Sequence, residues 1–261
     1  MYDFQFARPN TVADAASALK EDEAQALGGG QTLIPTMKQR LASPTTLVSL
    51  TGIGEITGIS KNDAGQLCIG AATTHASVAV DGSYAGLSGL ASNIGDPAVR
   101  NRGTIGGSLA NNDPAACYPA AALGSGAIIV TNAREIAADD YFQGMFSTAL
   151  DEGEIITAVK FPVPEASNYQ KFVQPASRFA LVGVFVAKYA DGVRVAVTGA
   201  SESGVYRWAE AEAALSANFS AVALDGLSVA AEGMISDLHG SPAYRAHLVK
   251  VMTGRAVSAA S

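Results

Sequence analysis

Cysteine and histidine are scarce in this chain, with two of the first and three of the second among 261 residues. Cys68 and Cys117 are too few for a disulfide framework and too few for an iron–sulfur cluster, which usually takes four thiolates. His75, His239 and His247 are scattered, with no HExxH or comparable ligand spacing. They are expected to be surface or internally satisfied histidines, and the chain itself to hold no metal. Positive charge is also short: 17 Lys and Arg stand against 24 Asp and Glu, a net charge of −7. That balance excludes a nucleic-acid or anionic-membrane surface, which needs clustered Lys and Arg. No apolar run approaches the roughly 20 residues of an integral membrane segment. The start, "MYDFQFARP", lacks the basic-then-apolar pattern of a secretory signal, so a cytoplasmic location is expected.

Several catalytic motifs are missing as well. No GxxxxGK[ST] occurs, which excludes a Walker-type triphosphate site. The dinucleotide pattern GxGxxG begins at Gly28 and Gly30 but meets Leu33 where its third glycine belongs, and "TIGGSL" fails the same test. No Ser-His-Asp, Cys-His or paired-carboxylate set has credible spacing, so no catalytic acid, base or nucleophile is assigned.

What is present is a chain of 48% apolar residues, long enough to bury a sizeable core. "TVADAASALKED" places Thr11 as an N-cap before an apolar stripe of Val12, Ala15, Ala16 and Leu19. "AQAL" reads as a short strand running into a glycine triplet, and "TTLVSL" at 45–50 as a β-branched strand, together a βαβ-like unit over 1–57. Residues 58–165 are mixed: "QLCIGA", "AIIVT" and "EIITAVKFP" read as strands, while "YAGLSGLASNI" and the stretch after Pro114 read as helices. Pro162 and Pro164 mark a boundary. In 166–261, "YQKFV", "LVGVFVAKYA" and "VRVAVTGA" suggest a three-stranded antiparallel meander. Helices are expected over "YRWAEAEAALS", around "GLSVAAEGMI" and over "PAYRAHLVKVMTGRAVSAA". The fold class is therefore α+β, with a small C-terminal domain of antiparallel strands packed with helices.

Two glycine runs carry the functional signal: "GGGQTLIP" at 28–35 and "GTIGGSLANNDPAACYP" at 103–119. Successive glycines expose backbone N–H groups and let an anion approach closely. Either run alone reads as a turn, but two runs with nearby hydroxyl or amide side chains (Gln31, Thr32, Thr104, Ser108) suit the two halves of a diphosphate. Asn111, Asn112 and Asp113 either meet sugar hydroxyls or form a turn.

Taken in order, "GGGQTLIPTMKQR", "GAATTH" at 70–75, "VRNRGTIGGSLANNDPAACYPA", "GEIITAVKFP" and "KFVQPASRFALVGV" resemble the FAD-binding medium subunit of the molybdenum hydroxylases. That family includes carbon monoxide dehydrogenase and xanthine dehydrogenase, and the C-terminal half looks most similar to carbon monoxide dehydrogenase medium subunits. The resemblance implies a PCMH-type FAD-binding domain of two subdomains and a non-covalent FAD. It also implies a large molybdopterin subunit and a small 2Fe–2S subunit, assembled as a dimer of heterotrimers. Position by position, it implies that Leu27, Gly28, Gly29, Gly30, Gln31, Thr32 and Leu33 form one diphosphate loop. Thr104, Ile105, Gly106, Gly107 and Ser108 would form the other. Ile94 would lie against the flavin, and Ile156 and Lys171 would be further contacts, Lys171 bringing positive charge. Asn112 and Asp113 join this set. Cys117 falls where many members have an aspartate that bonds the cofactor. In "Arg178-Phe179-Ala180" an acidic residue common in the family is missing; Phe179 either covers one flavin face or packs in the core, with core packing expected. Two other readings stay open from the residues alone, a self-contained flavoprotein oxidase and a cofactor-free structural subunit.

Overall fold

The computed structural model describes residues 1–261. Strand β1 (Gln5–Ala7), helix α1 (Val12–Ala18), β2 (Ala24–Leu27), α2 (Leu33–Lys38) and β3 (Thr46–Ser49) build a three-stranded sheet in the order β1-β3-β2. Both pairings are parallel, as βαβ connections require. Thr11 caps α1 as expected, its Oγ1 accepting from the Asp14 amide at 3.1 Å. Ala15 and Leu19 from α1 pack with Val48, Ile53 and Ile56 in a small core that also takes in Ala72 and Ile155.

The next stretch contributes β4 (Ile59–Lys61), β5 (Leu67–Gly70), α3 (His75–Asp81), α4 (Ala85–Ser92), α5 (Pro97–Arg100), α6 (Ile105–Asn111) and α7 (Tyr118–Ser125). It continues with β6 (Ile128–Thr131), β7 (Glu135–Ala137), α8 (Ala138–Tyr141), the hairpin β8 (Phe142–Gly144) and β9 (Ser147–Thr148), and β10 (Ile156–Phe161). A five-stranded sheet in the order β4-β5-β10-β6-β7 results, antiparallel throughout. The helices between β5 and β6 cover it through Leu87, Leu90, Ile105 and Leu109, against Ile69, Ile129, Val159 and Phe161.

Strands β11 (Ala166–Val173), β12 (Ala180–Tyr189), β13 (Gly192–Thr198) and β14 (Tyr206–Arg207) form the third sheet, antiparallel in sequence order. Strand β12 is buried on both faces, which explains its unbroken apolar run. Phe185 and Ala187 face the helices of the preceding layer, while Val182, Val184 and Val186 face α9 (Ala209–Ala217) and α10 (Pro242–Ala259).

Two expectations fail here. Tyr206 and Arg207 begin no helix: they pair with Val197 and Ala196 as a fourth strand. The stretch "GLSVAAEGMI" is not helical either. Gly233 takes a left-handed φ of 72° just before Met234, which is buried, and the Ile235 amide donates to the Ala200 carbonyl at 2.8 Å. Glycine-broken backbone and tertiary anchoring override weak local helix propensity.

The layers are joined by specific bonds. Arg194 donates to the Leu123 carbonyl at 2.8 Å and to Asp139 at 2.8 Å, and Arg207 pairs with both Asp139 and Glu212. The Thr198 hydroxyl reaches the carbonyls of Pro114 and Ala116 at 2.9 and 2.8 Å, and the Gly199 amide donates to Pro114 at 2.7 Å. These last bonds fix the segment that enters α7 at Cys117.

Candidate functional site

A cavity of about 660 Å³ lies where the first sheet, helix α6, the start of α7 and the edge of the third sheet meet. That volume is in the range of small-molecule and cofactor sites. Strand β2 delivers the first glycine run directly into it. Gly30 takes a left-handed φ of 71°, which glycine adopts without steric penalty, and the Gln31 side chain donates back to the Gly29 carbonyl at 3.1 Å. No carbonyl or side chain accepts from the five successive amides of Gly28 to Thr32. Five unpaired N–H groups lining one cavity form a cradle for an anion.

The second run behaves differently. "TIGG" is the first turn of α6, with Thr104 as its N-cap. The Ile105 amide donates to Thr73, Gly106 to Ala71 and Gly107 to the Thr104 hydroxyl, at 3.2, 2.9 and 3.1 Å. The exposed amides expected of this run are already bonded within the protein, because the helix start docks on the segment after β5. Its glycines serve close approach. A Cβ at Gly106 would lie 2.6 Å from that of Ala71, and one at Gly103 2.5 Å from His75 Nε2.

The two runs nevertheless face each other. A Cβ on Gly29 would sit 1.9 Å from the Arg102 carbonyl oxygen, and one on Gly28 3.1 Å from Thr104 Oγ1. Leu27 to Leu33, Thr104, Gly106, Gly107 and Ser108 all line the cavity. So do Ile94, Asp113, Cys117, Ile156 and Lys171. Ile105 and Asn112 do not. Ile105 is fully buried in the core, and Asn112 turns away to bond the β8–β9 hairpin.

Local chemistry refines these placements. Lys171 Nζ donates to the Asn93 carbonyl at 3.0 Å, and Arg100 binds the carbonyls of Ile94 and Gly95 at 3.0 and 3.2 Å. Two cations thus hold the end of α4 that presents Ile94. Asp113 accepts from the Ala115 amide at 2.8 Å in a local turn, and burial pushes its carboxyl above the usual range. The Cys117 thiol is buried at the start of α7 and does not cap the helix.

The sequence reading missed several lining residues. His75 is buried, its ring 5.2 Å from that of Tyr118, and its Nδ1 has no partner, so it is neither a surface nor a satisfied histidine. Burial, with Arg100 nearby, lowers its pKa to about 4. Phe179 is half exposed on the cavity wall rather than packed in the core. Phe146, Glu154 and Ile155 line it too. Burial alone would raise the Glu154 carboxyl, but bonds from Arg134, Thr131 and the Asp151 amide hold it at about 2. Only the TTH triplet carried a signal for His75, and its burial depends on Gly103 and on Tyr118 at the start of α7.

The His75 shift has a measurable consequence. Its folded pKa lies below the unfolded value, so the native state resists protonation. Stability is complete above about pH 6.5 and declines as pH falls toward 4. Between about pH 7.5 and about pH 5 the chain should lose about 2 kcal/mol more than a His75→Gln variant, read from denaturant melts. Equal losses would show that His75 is not held neutral.

A family model described as the FAD binding domain in molybdopterin dehydrogenase matches residues 2–164. The chain belongs to this family. Among relatives of the FAD-binding domain, the carbon monoxide dehydrogenase medium chain of Afipia carboxidovorans is 34% identical over 98% of this chain and 96% of its own. The nicotine 6-hydroxylase medium subunit of Paenarthrobacter nicotinovorans is 33% identical over 97% and 95%. A crystal structure of quinoline 2-oxidoreductase from Pseudomonas putida 86 superposes with a TM-score of 0.87 at 28% identity, covering 98% of this chain and 96% of that one. A Cu,Mo-CO dehydrogenase structure gives 0.87 at 33%, with the same coverage. The α+β architecture is thus that of a PCMH-type FAD-binding domain with a C-terminal antiparallel sheet and helices. The residues present fit FAD: an unpaired amide cradle for a diphosphate and an apolar wall of Ile94, Ile155 and Ile156.

Proposed function

We propose that this chain is the FAD-binding electron-transfer subunit of a cytoplasmic heterotrimeric molybdenum hydroxylase. In this reading it accepts electrons from 2Fe–2S clusters on a small partner subunit and passes them to a final acceptor. A large partner subunit carries molybdopterin and oxidises the substrate, and two heterotrimers associate. A carbon monoxide dehydrogenase-type enzyme is the reading favoured, on the full-length similarity to such a medium chain. FAD, when bound, supplies the two-electron redox chemistry.

This chain's residues bind and orient. The observation that carries the reading is the run of five unpaired amides, Gly28 to Thr32, opposite Thr104 and Gly107. These amides take the diphosphate, and Thr104 and Ser108 close the other side. Ile94 and Ile156 bound the flavin, while Asp113 and Cys117 lie on the floor fixed by Thr198 and Gly199. Ile105 and Asn112 support the site from outside the cavity. Lys171 acts by holding the Asn93 carbonyl, which sets the position of Ile94. Residues 1–57 and 58–165 form the two halves of the cofactor domain, and 166–261 the unit that closes one edge.

The chain purified alone should bind FAD non-covalently, with the visible absorbance of oxidised flavin and release of FAD on denaturation. A colourless chain that cannot be reconstituted with FAD would refute the reading.

A further inference from the structure

Among the exposed large apolar side chains, only Phe146 and Phe179 line the cavity. Phe146 is 63% exposed, and it sits at a left-handed φ of 56°. Both features are unfavourable for a phenylalanine: the backbone is strained, and the ring gains little burial. Strain of this kind persists only where surrounding structure enforces it.

The enforcing residue is Asn112. It is itself left-handed, with φ 43°, and its Nδ2 donates to the carbonyls of Gly144 and Ser147, both at 2.7 Å. Its own carbonyl accepts from the Phe146 amide at 3.0 Å. Three bonds from one buried asparagine therefore grip the tip of the β8–β9 hairpin on both sides of Phe146. From behind, Gly204 packs against the backbone of Gly144 and Met145. Other exposed apolar residues, such as Leu41 and Val80, line no part of the cavity.

Resting on the FAD reading, the geometry points to Phe146 as an aromatic platform that packs against a planar ring of the bound dinucleotide, with Asn112 as its positioning residue. A rigidly held phenyl face pre-pays the ordering that stacking otherwise requires. The ring is a nitrogen heterocycle, either adenine or isoalloxazine, and the ligands used in the test separate the two.

The decisive variant is Phe146→Gly, which removes the ring and relieves the φ strain together. Its apparent melting temperature without FAD should rise, since glycine is unstrained at this φ. Its FAD dissociation constant should increase roughly tenfold or more, the usual scale for losing an aromatic stack on a base. Phe146→Trp should restore affinity. Weakened FAD with unchanged FMN binding assigns the platform to adenine, and weakening of both assigns it to isoalloxazine. If the wild-type chain binds FAD and Phe146→Gly binds it equally well, the platform is wrong. A fall in melting temperature for that variant would overturn the strain argument. A wild-type chain that binds no FAD fails the earlier reading instead.

Discussion

Replacing Gly29 by alanine should destabilise the protein by about 3 kcal/mol, at the upper end of overpacking costs. The new Cβ would lie 1.9 Å from the Arg102 carbonyl oxygen and 2.6 Å from the Gly103 Cα, so it meets backbone and not a side chain that can swing aside. Either the first glycine loop or the segment before α6 must retreat. Both line the cavity, so the loss of stability comes with loss of FAD affinity. A drop in melting temperature of roughly 6–12 °C is expected for a chain of this size. Gly28→Ala is the matched control, because its Cβ would meet only Thr104 Oγ1, at 3.1 Å, and Gly107 Cα at 3.8 Å. Thermal melts of the two variants, with and without FAD, check the contrast. Equal melting temperatures would show that the loops are not in contact. Gly106→Ala cannot serve as a clean probe of phosphate binding, since it collides with Ala71 inside the core.

Arg245→Met should be of similar cost, about 3 kcal/mol, the scale of leaving two buried acceptors without donors. Arg245, on α10, is only 3% exposed and donates to the carbonyls of Leu181 and Gly199 and to Asp237, each at 2.7 Å. The variant strands two main-chain acceptors, whereas the partly exposed Asp237 carboxylate keeps the His239 and Gly240 amides as donors. Methionine fills most of the volume, which leaves the unmet hydrogen bonds as the main loss. The effect should also reach the cavity, because Gly199 in turn holds the Pro114 carbonyl on the floor segment. Denaturant melts measure the stability change, and saturating FAD should recover part of it by mass action. A variant as stable as the wild type would show that Arg245 does not anchor this junction.

The sequence was most informative where local chemistry and periodicity agree. Thr11 and its stripe, the strand before the glycine triplet and the long apolar run of β12 are all set by neighbouring residues. The unpaired amides of the first glycine run were legible for the same reason, since Gly30 and Gln31 shape it locally. The second run was misread in detail. Whether the amides of Ile105 and Gly106 are free depends on Thr73 and Ala71, which reach them only through the fold. The burial of His75 and the placement of Phe146 on the cavity were not legible, on similar grounds. The burial of His75 against Tyr118, and the grip of Asn112 on its hairpin, link residues over 30 positions apart. Short strand β14 went unseen because two residues carry too little pattern.

Amide hydrogen exchange with and without FAD tests the central claim most directly. The amides of Gly28 to Thr32 have no partner within the chain and should exchange quickly without FAD and slow markedly when it binds. Those of Gly106 and Gly107, already bonded to Ala71 and Thr104, should change little. Saturating FAD that leaves Gly28 to Thr32 unprotected would contradict the cradle, and protection confined to other segments would place the cofactor elsewhere.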